Sequence, residues 1–304
     1  MKCKPIPNPS LDLLLFPQHD TAYVHFEDAD SNPFEADARS FSAVNAWWLA
    51  DAALLAYWDE PQAREIWTRA KLHFKFLSRG GSQCHVAWSE RFVIVAFRGT
   101  QPNSIQDLLT ILDVKHARYE FGGKVHCGFR RAHIEIWPFV QKELDHLANG
   151  RTVWFTGHSL GAALADLSMD QFPQAAGVYT IGSPPVGDRR FARGFARRYS
   201  DRSFRYVNHH DIIVWLPGAL ALLLGSYRHV PQRKYINAEG KHSGVLGVRD
   251  CVALVASRLK TLARGAVPGV PLPRPVVDHT PKRYAVQIWN ALVDRAAHVE
   301  PAHV

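Results

Sequence analysis

The chain is short of cysteine: it has four in 304 residues, Cys3, Cys84, Cys127 and Cys251. Their spacings match no zinc-ligand pattern, and four thiols in a chain this long make no disulfide framework, so buried free thiols are expected. No run of five or more Lys and Arg occurs, and the basic residues are scattered. The formal net charge of +8 favours an anionic partner, either nucleic acid or an acidic membrane surface. Scatter makes specific nucleic-acid binding the poorer of the two. Long apolar runs are missing as well. The longest lies within Leu216–Gly225, too short to span a bilayer, so no transmembrane segment is expected. Near the start, Leu13–Phe16 is followed by proline and makes no leader core. A cytoplasmic protein is the expectation, with leaderless export still open.

What is present is enough apolar material for a large core. Hydrophobic residues make up 47% and charged residues 21%, a globular balance. The whole chain, 1–304, is expected to form one domain. Residues 1–38, rich in Pro, Asp and Asn, are expected to wrap its surface. Apolar spacing predicts helices over Ser40–Trp58 and Pro61–Ala70. Strands are predicted at His73–Leu77, Cys84–Trp88 and Phe92–Phe97, joined by hairpin-sized turns. A short strand at Lys124–Phe129 precedes a long helix over Arg130–Ala148. Further strands are predicted at Val153–Phe155, Gly177–Ile181 and Phe204–Val207, with a basic helix at Asp188–Tyr199 whose charges read as a solvated face. Tyr227–Ile236 reads as an edge strand or hairpin. Residues 243–277 combine a helix, Leu246–Ala263, with a proline-rich linker. A closing helix is predicted at Pro281–Ala297. Alternation of strands and helices after residue 124 points to an α/β fold with a mainly parallel sheet, and the earlier hairpins add an antiparallel part.

One stretch concentrates the chemistry. Val153–Phe155 is followed at once by Gly157-His158-Ser159-Leu160-Gly161 and then by a helix-forming run, Leu160–Leu167. Strand, G-x-S-x-G, helix is the context of a nucleophile elbow. A serine on so tight a turn leaves no room for side chains two residues before or after it. The glycines clear that space, and the first N–H groups of the helix point where a developing oxyanion would sit.

A serine hydroxyl needs a base, and the base needs an acid to hold its tautomer. In elbow-type hydrolases both follow the serine. Asp211, just past the strand ending at Val207, is the best-placed acid. Asp166 and Asp170 fall on the elbow helix and should point away, while Asp188 and Asp201 look like cap and turn residues. His279 and His229 both remain candidates for the base on position alone.

Six motifs taken in order resemble the class 3 lipase family. They are Val95-Ala96-Phe97-Arg98-Gly99-Thr100, Val125-His126-Cys127-Gly128-Phe129, Gly157–Gly161, Thr180-Ile181-Gly182-Ser183-Pro184, Asn208–Ile213 with Leu216-Pro217, and Asp278-His279 with Tyr284. The resemblance implies an α/β-hydrolase fold and lipase-type ester hydrolysis without metal or cofactor. It implies Ser159 as nucleophile, Asp211 as acid and His279 as base. The main-chain N–H groups of Thr100 and Leu160 would form the oxyanion hole, and His126 would be structural support. Residues 103–112 match the family's lid, with Ile105, Leu108, Leu109 and Leu112 as its apolar side chains. Ile111 stands where the family often has a second acid. Leu222 and Leu224, in an apolar stretch between Gly218 and Gly225, are expected to wall the acyl groove or touch an interface. A lipid or small acyl ester is the implied substrate, and the basic residues Arg249, Lys260 and Arg264 suggest an anionic lipid interface. A phospholipase or an aryl esterase would use the same residues. A non-catalytic scaffold of the same family would have lost one of the three.

Overall fold

The computed structural model describes residues 4–7, 9, 23–99, 115–209, 211, 213–215, 227–230, 233–237, 242–243 and 277–299. Thr100, Ile105, Leu108, Leu109, Ile111, Leu112, Leu222 and Leu224 lie outside them. So do the predicted helix Leu246–Ala263 and residues 265–276 of the linker.

Strand β3 (Phe92–Phe97) is buried along its whole length and shows how the core is divided. Successive side chains of a strand point to opposite faces. Phe92, Ile94 and Ala96 enter one hydrophobic cluster, and Val93, Val95 and Phe97 enter the other. β6 (Thr152–His158) divides in the same way, with Trp154 on the first side and Val153 and Phe155 on the second. A strand buried on both faces must carry helices on both.

The central sheet has eight strands in the order β1-β2-β3-β6-β7-β8-β9-β10. β1 (His73–Arg79), β2 (Ser82–Trp88) and β3 pair antiparallel. Between β1 and β2 the chain turns through Gly80 and Gly81, at φ 55° and 83°, a two-residue hairpin turn that favours glycine. From β3 the sheet runs parallel through β6, β7 (Gly177–Ile181), β8 (Ser203–Asn208) and β9 (Arg233–Ile236). β10 (His242–Ser243) pairs antiparallel outside β9, so the strand predicted near Tyr227–Ile236 is shorter than expected and has a neighbour on each side. A separate hairpin joins β4 (His116–Arg118) to β5 (Lys124–His126).

Helix α1 (Ala43–Leu55) lies in the first cluster. Ser42 caps it, accepting from the Asn45 N–H at 3.0 Å. Trp47 and Trp48 are packing residues: Trp48 stacks on Phe26 and Trp47 meets Trp289. The short helix α2 (Glu60–Arg69) follows. On the second face lie α3 (Cys127–Leu147) and α4 (Leu160–Gln171), and then α5 (Arg189–Tyr199). The long helix α3 starts three residues earlier than predicted, because His126 caps it by accepting from the Gly128 and Phe129 N–H groups. That also shortens the preceding strand. Asp188 caps α5, accepting from the Phe191 N–H at 2.8 Å.

Helix α6 (Pro281–Val299) returns to the first face against α1. The N-terminal segment is tied to it, since the Ile6 N–H donates to Asn290 Oδ1 and the Asn290 amide donates back to the Ile6 carbonyl. Phe26 and Phe34 carry residues 23–38 into the core. No described helix is long and apolar enough to cross a membrane.

Candidate active site

The carboxyl ends of β6, β7 and β8 carry the predicted site, the usual place for a ligand on an open α/β sheet. β6 ends at His158, and α4 begins two residues later. Ser159 between them has φ 56° and ψ −123°, a region that costs an L-residue on the order of 1–3 kcal/mol. Its backbone N–H donates to the Ile181 carbonyl at 3.0 Å. Gly157 and Gly161 permit the turn. A Cβ on Gly157 would lie 2.3 Å from the Gly161 carbonyl oxygen, and one on Gly161 would lie 2.2 Å from that of Phe97. Leu160 opens α4, so its N–H lies in the first turn, where no intrahelical carbonyl is available.

Asp211 lies beyond β8 and is fully buried. Oδ1 accepts from the Ile213 N–H at 2.8 Å. Oδ2 pairs with His279 Nδ1 at 2.9 Å and accepts from the Tyr284 hydroxyl at 2.6 Å. The Tyr284 phenol is pushed well above its ordinary pKa, first by burial and then by the Asp211 charge, so it stays a donor. With an ionised carboxylate at Nδ1, the neutral imidazole carries its proton there and its lone pair at Nε2. Both His279 Nε2 and Ser159 Oγ are buried, and neither has a hydrogen-bond partner among the described residues.

The two segments that bring acid and histidine together are also joined by bonds between main chain and side chain. The Asn208 N–H donates to the Tyr284 hydroxyl at 2.8 Å, and its amide donates to the Asp278 carbonyl at 2.9 Å. Gly182, at φ 59°, passes close beneath the pair. A Cβ there would lie 3.0 Å from Asp211 Oδ2 and 3.1 Å from His279 Nδ1.

The other candidates are occupied elsewhere. Asp166 accepts from Ser183 Oγ at 3.4 Å, and Asp170 pairs with Arg198 at 2.6 Å. His229 is half-buried and bonded to the backbone of Val214, and desolvation and the Arg205 charge hold its pKa well below the usual value. His158 and Tyr57 are contacts that position along the chain did not reveal. The Tyr57 hydroxyl and His158 Nδ1 are 2.7 Å apart, and His158 Nε2 lies 2.6 Å from the His279 carbonyl oxygen. His158 sits inside the elbow motif, but nothing local to the motif shows its partners, 101 and 121 residues away.

A model of the class 3 lipase family matches residues 94–221. Lipase ZK262.3 of Caenorhabditis elegans is 34% identical over 138 residues, covering 42% of this chain and 38% of that protein. The secreted mono- and diacylglycerol lipase LIP4 of Malassezia restricta is 32% identical over 164 residues, covering 48% of this chain and 52% of that protein. The chain thus spans about half, or less, of the length of these relatives. The solved triacylglyceride lipase of Rhizomucor miehei aligns with a TM-score of 0.54 at 23% identity, over 66% of this chain and 83% of that one. This likeness concerns the fold.

The cytoplasmic expectation is corrected by these relatives, since the Malassezia enzyme is named as secreted. Sparse cysteine did not assign a compartment. A fold with two large buried clusters does not depend on a disulfide framework for its core. Residues 94–221 belong to the class 3 lipase family, and the chain carries them on the α/β-hydrolase fold.

Proposed function

We propose that the chain is a serine carboxylic-ester hydrolase of the lipase type, acting on acyl esters of glycerides. Ser159 Oγ attacks the ester carbonyl carbon while its proton passes to His279 Nε2. Asp211 holds the ring and stabilises the imidazolium. The Leu160 N–H, with that of Thr100, receives the oxyanion. The ester C–O bond breaks and the alcohol leaves with the proton from His279. Water then attacks the acyl-enzyme, gives its proton to His279, and frees the acid as Ser159 regains its hydrogen.

The observation that carries this reading is the Asp211–His279 bond of 2.9 Å. It leaves the lone pair at Nε2, which, like Ser159 Oγ, is buried without a described partner. Hydrogen bonds of resting sites are often loose and tighten on substrate. The similarity to the Malassezia mono- and diacylglycerol lipase supports a glyceride substrate. The apolar segments 104–112 and 218–225 are proposed as the cover of the acyl chain, and an anionic lipid surface as the interface.

A fluorophosphonate probe tests the chemistry. The wild-type protein should be labelled once per chain and Ser159→Ala not at all. Equal labelling of both would remove Ser159 from the role. Turnover on a panel of glycerides, phospholipids and p-nitrophenyl esters then assigns the head group.

A further inference from the structure

We propose that Tyr57 and His158 form a hydrogen-bonded strut between the end of β3 and the backbone of His279, and that both are positioning residues for hydrolysis. This inference rests on the ester-hydrolase reading above.

The strut begins at Gly99, one residue before the expected oxyanion residue Thr100. Gly99 packs on the elbow: a Cβ there would lie 2.3 Å from the Tyr57 hydroxyl, 2.5 Å from the His158 carbonyl oxygen and 3.2 Å from Ser159 Cβ. Tyr57, in the turn after α1, continues the strut to His158 Nδ1 at 2.7 Å. His158 completes it from Nε2 to the His279 carbonyl at 2.6 Å.

Direction along the chain is fixed at each joint. A backbone carbonyl only accepts, so His158 Nε2 must carry the hydrogen. In a neutral ring Nδ1 is then the acceptor, and the Tyr57 hydroxyl donates to it. Burial holds both groups in those forms, pushing the Tyr57 phenol up and the His158 imidazole well below its usual range. The His158 and His279 rings sit 4.5 Å apart between centroids.

The mechanical consequence follows from where His279 is held. Asp211 holds the ring by a hydrogen bond at Nδ1, which by itself does not set the position of the backbone from which the ring projects. The bond to its own carbonyl fixes the peptide from which the side chain springs. The two constraints together aim Nε2. Misplacing a reacting group by about 1 Å costs on the order of 10²-fold in rate.

The test uses the full chain, a short soluble ester such as p-nitrophenyl butyrate, and fluorophosphonate titration to count working sites. Tyr57→Phe and His158→Leu should each lower kcat per titrated site about 10- to 100-fold, with KM within about twofold. His158→Gln, whose amide reaches the His279 carbonyl, should keep more activity per site than His158→Leu. The double variant should lose no more than the worse single one, because the two residues act as one strut. A purely structural role would instead reduce the titratable fraction and the melting temperature with kcat per site unchanged, and that result overturns the proposal. If His158→Leu yields no titratable sites, Tyr57→Phe, which removes one oxygen atom, decides alone. A folded wild-type protein that hydrolyses no ester defeats the functional reading and the strut with it. An active wild type with unaffected variants defeats the strut only.

Discussion

His209 and Asp278 form a second histidine–carboxylate pair directly beside Asp211 and His279, with Nδ1 3.3 Å from Oδ2. The two pairs alternate between the same two loops, so each loop contributes one acid and one histidine. Asp278 is fully buried and also meets Arg283 Nε at 3.1 Å. Asp278→Asn should therefore destabilise the fold by on the order of 3 kcal/mol, since it leaves the Arg283 charge without its counterion. Urea unfolding measures this. An unchanged midpoint would show that the pair does not hold the loops together.

Ser159→Ala and His279→Ala should each cost about 10⁴-fold or more in kcat while the protein stays folded. Asp211→Asn should cost less. The readout is turnover beside circular dichroism, and near-normal turnover of His279→Ala would move the base elsewhere.

Tyr284→Phe takes one of two donors from Asp211 Oδ2. The Asn208 N–H loses its acceptor at the same time. A stability loss of about 1–3 kcal/mol is expected from the unpaired buried groups, with kcat falling more than KM changes. Steady-state kinetics and thermal melting together check it.

Gly182→Ala puts a methyl group against both Asp211 Oδ2 and His279 Nδ1, at a backbone angle that disfavours side chains. About 1–2 kcal/mol of strain is expected from the left-handed conformation alone. The pair must also move apart, so activity should fall further than stability. Retained kcat would mean that the pair tolerates displacement.

Acid should weaken the fold through its buried histidines. Burial lowers the pKa of His85 and of His133 to about 3, against about 6.5 in an unfolded chain. Between those values the unfolded state binds more protons, so stability is fully present above about pH 6.5 and declines as pH falls. Each group contributes a slope of about 1.4 kcal/mol per pH unit. His133→Gln, which can still bond Ser168 Oγ, should flatten the profile by one such slope. Urea midpoints from pH 7.5 to 4.5 provide the measurement.

The elbow was legible in the sequence because all its requirements are local. A buried strand, two glycines with a serine between them and a helix-forming run fall within fifteen residues. The strand at Phe92–Phe97 was legible in the same way, as an uninterrupted apolar run; its burial on both faces emerged only from the fold. The start of α3 was missed because histidine is not a usual cap, and only the folded chain shows the His126 ring accepting from the helix. Tyr57 and His158 were missed for a different reason. Their partners are more than a hundred residues apart, and neither residue's neighbours in sequence hint at the contact. Arg249, Lys260 and Arg264 carried an expectation that lies outside the described residues.

Ser159 occupies the cap position of α4, yet its side chain makes no capping bond. A serine in that place ordinarily closes the helix, and replacing such a cap by alanine costs about 1 kcal/mol. Here the hydroxyl is turned away, and the opening turn of α4 lacks that closure. A covalent adduct that brings a strongly polarised phosphoryl oxygen to the turn would supply it. The phosphonylated protein should therefore melt at a higher temperature than the resting one, the first turn of α4 being closed by the group that Ser159 carries.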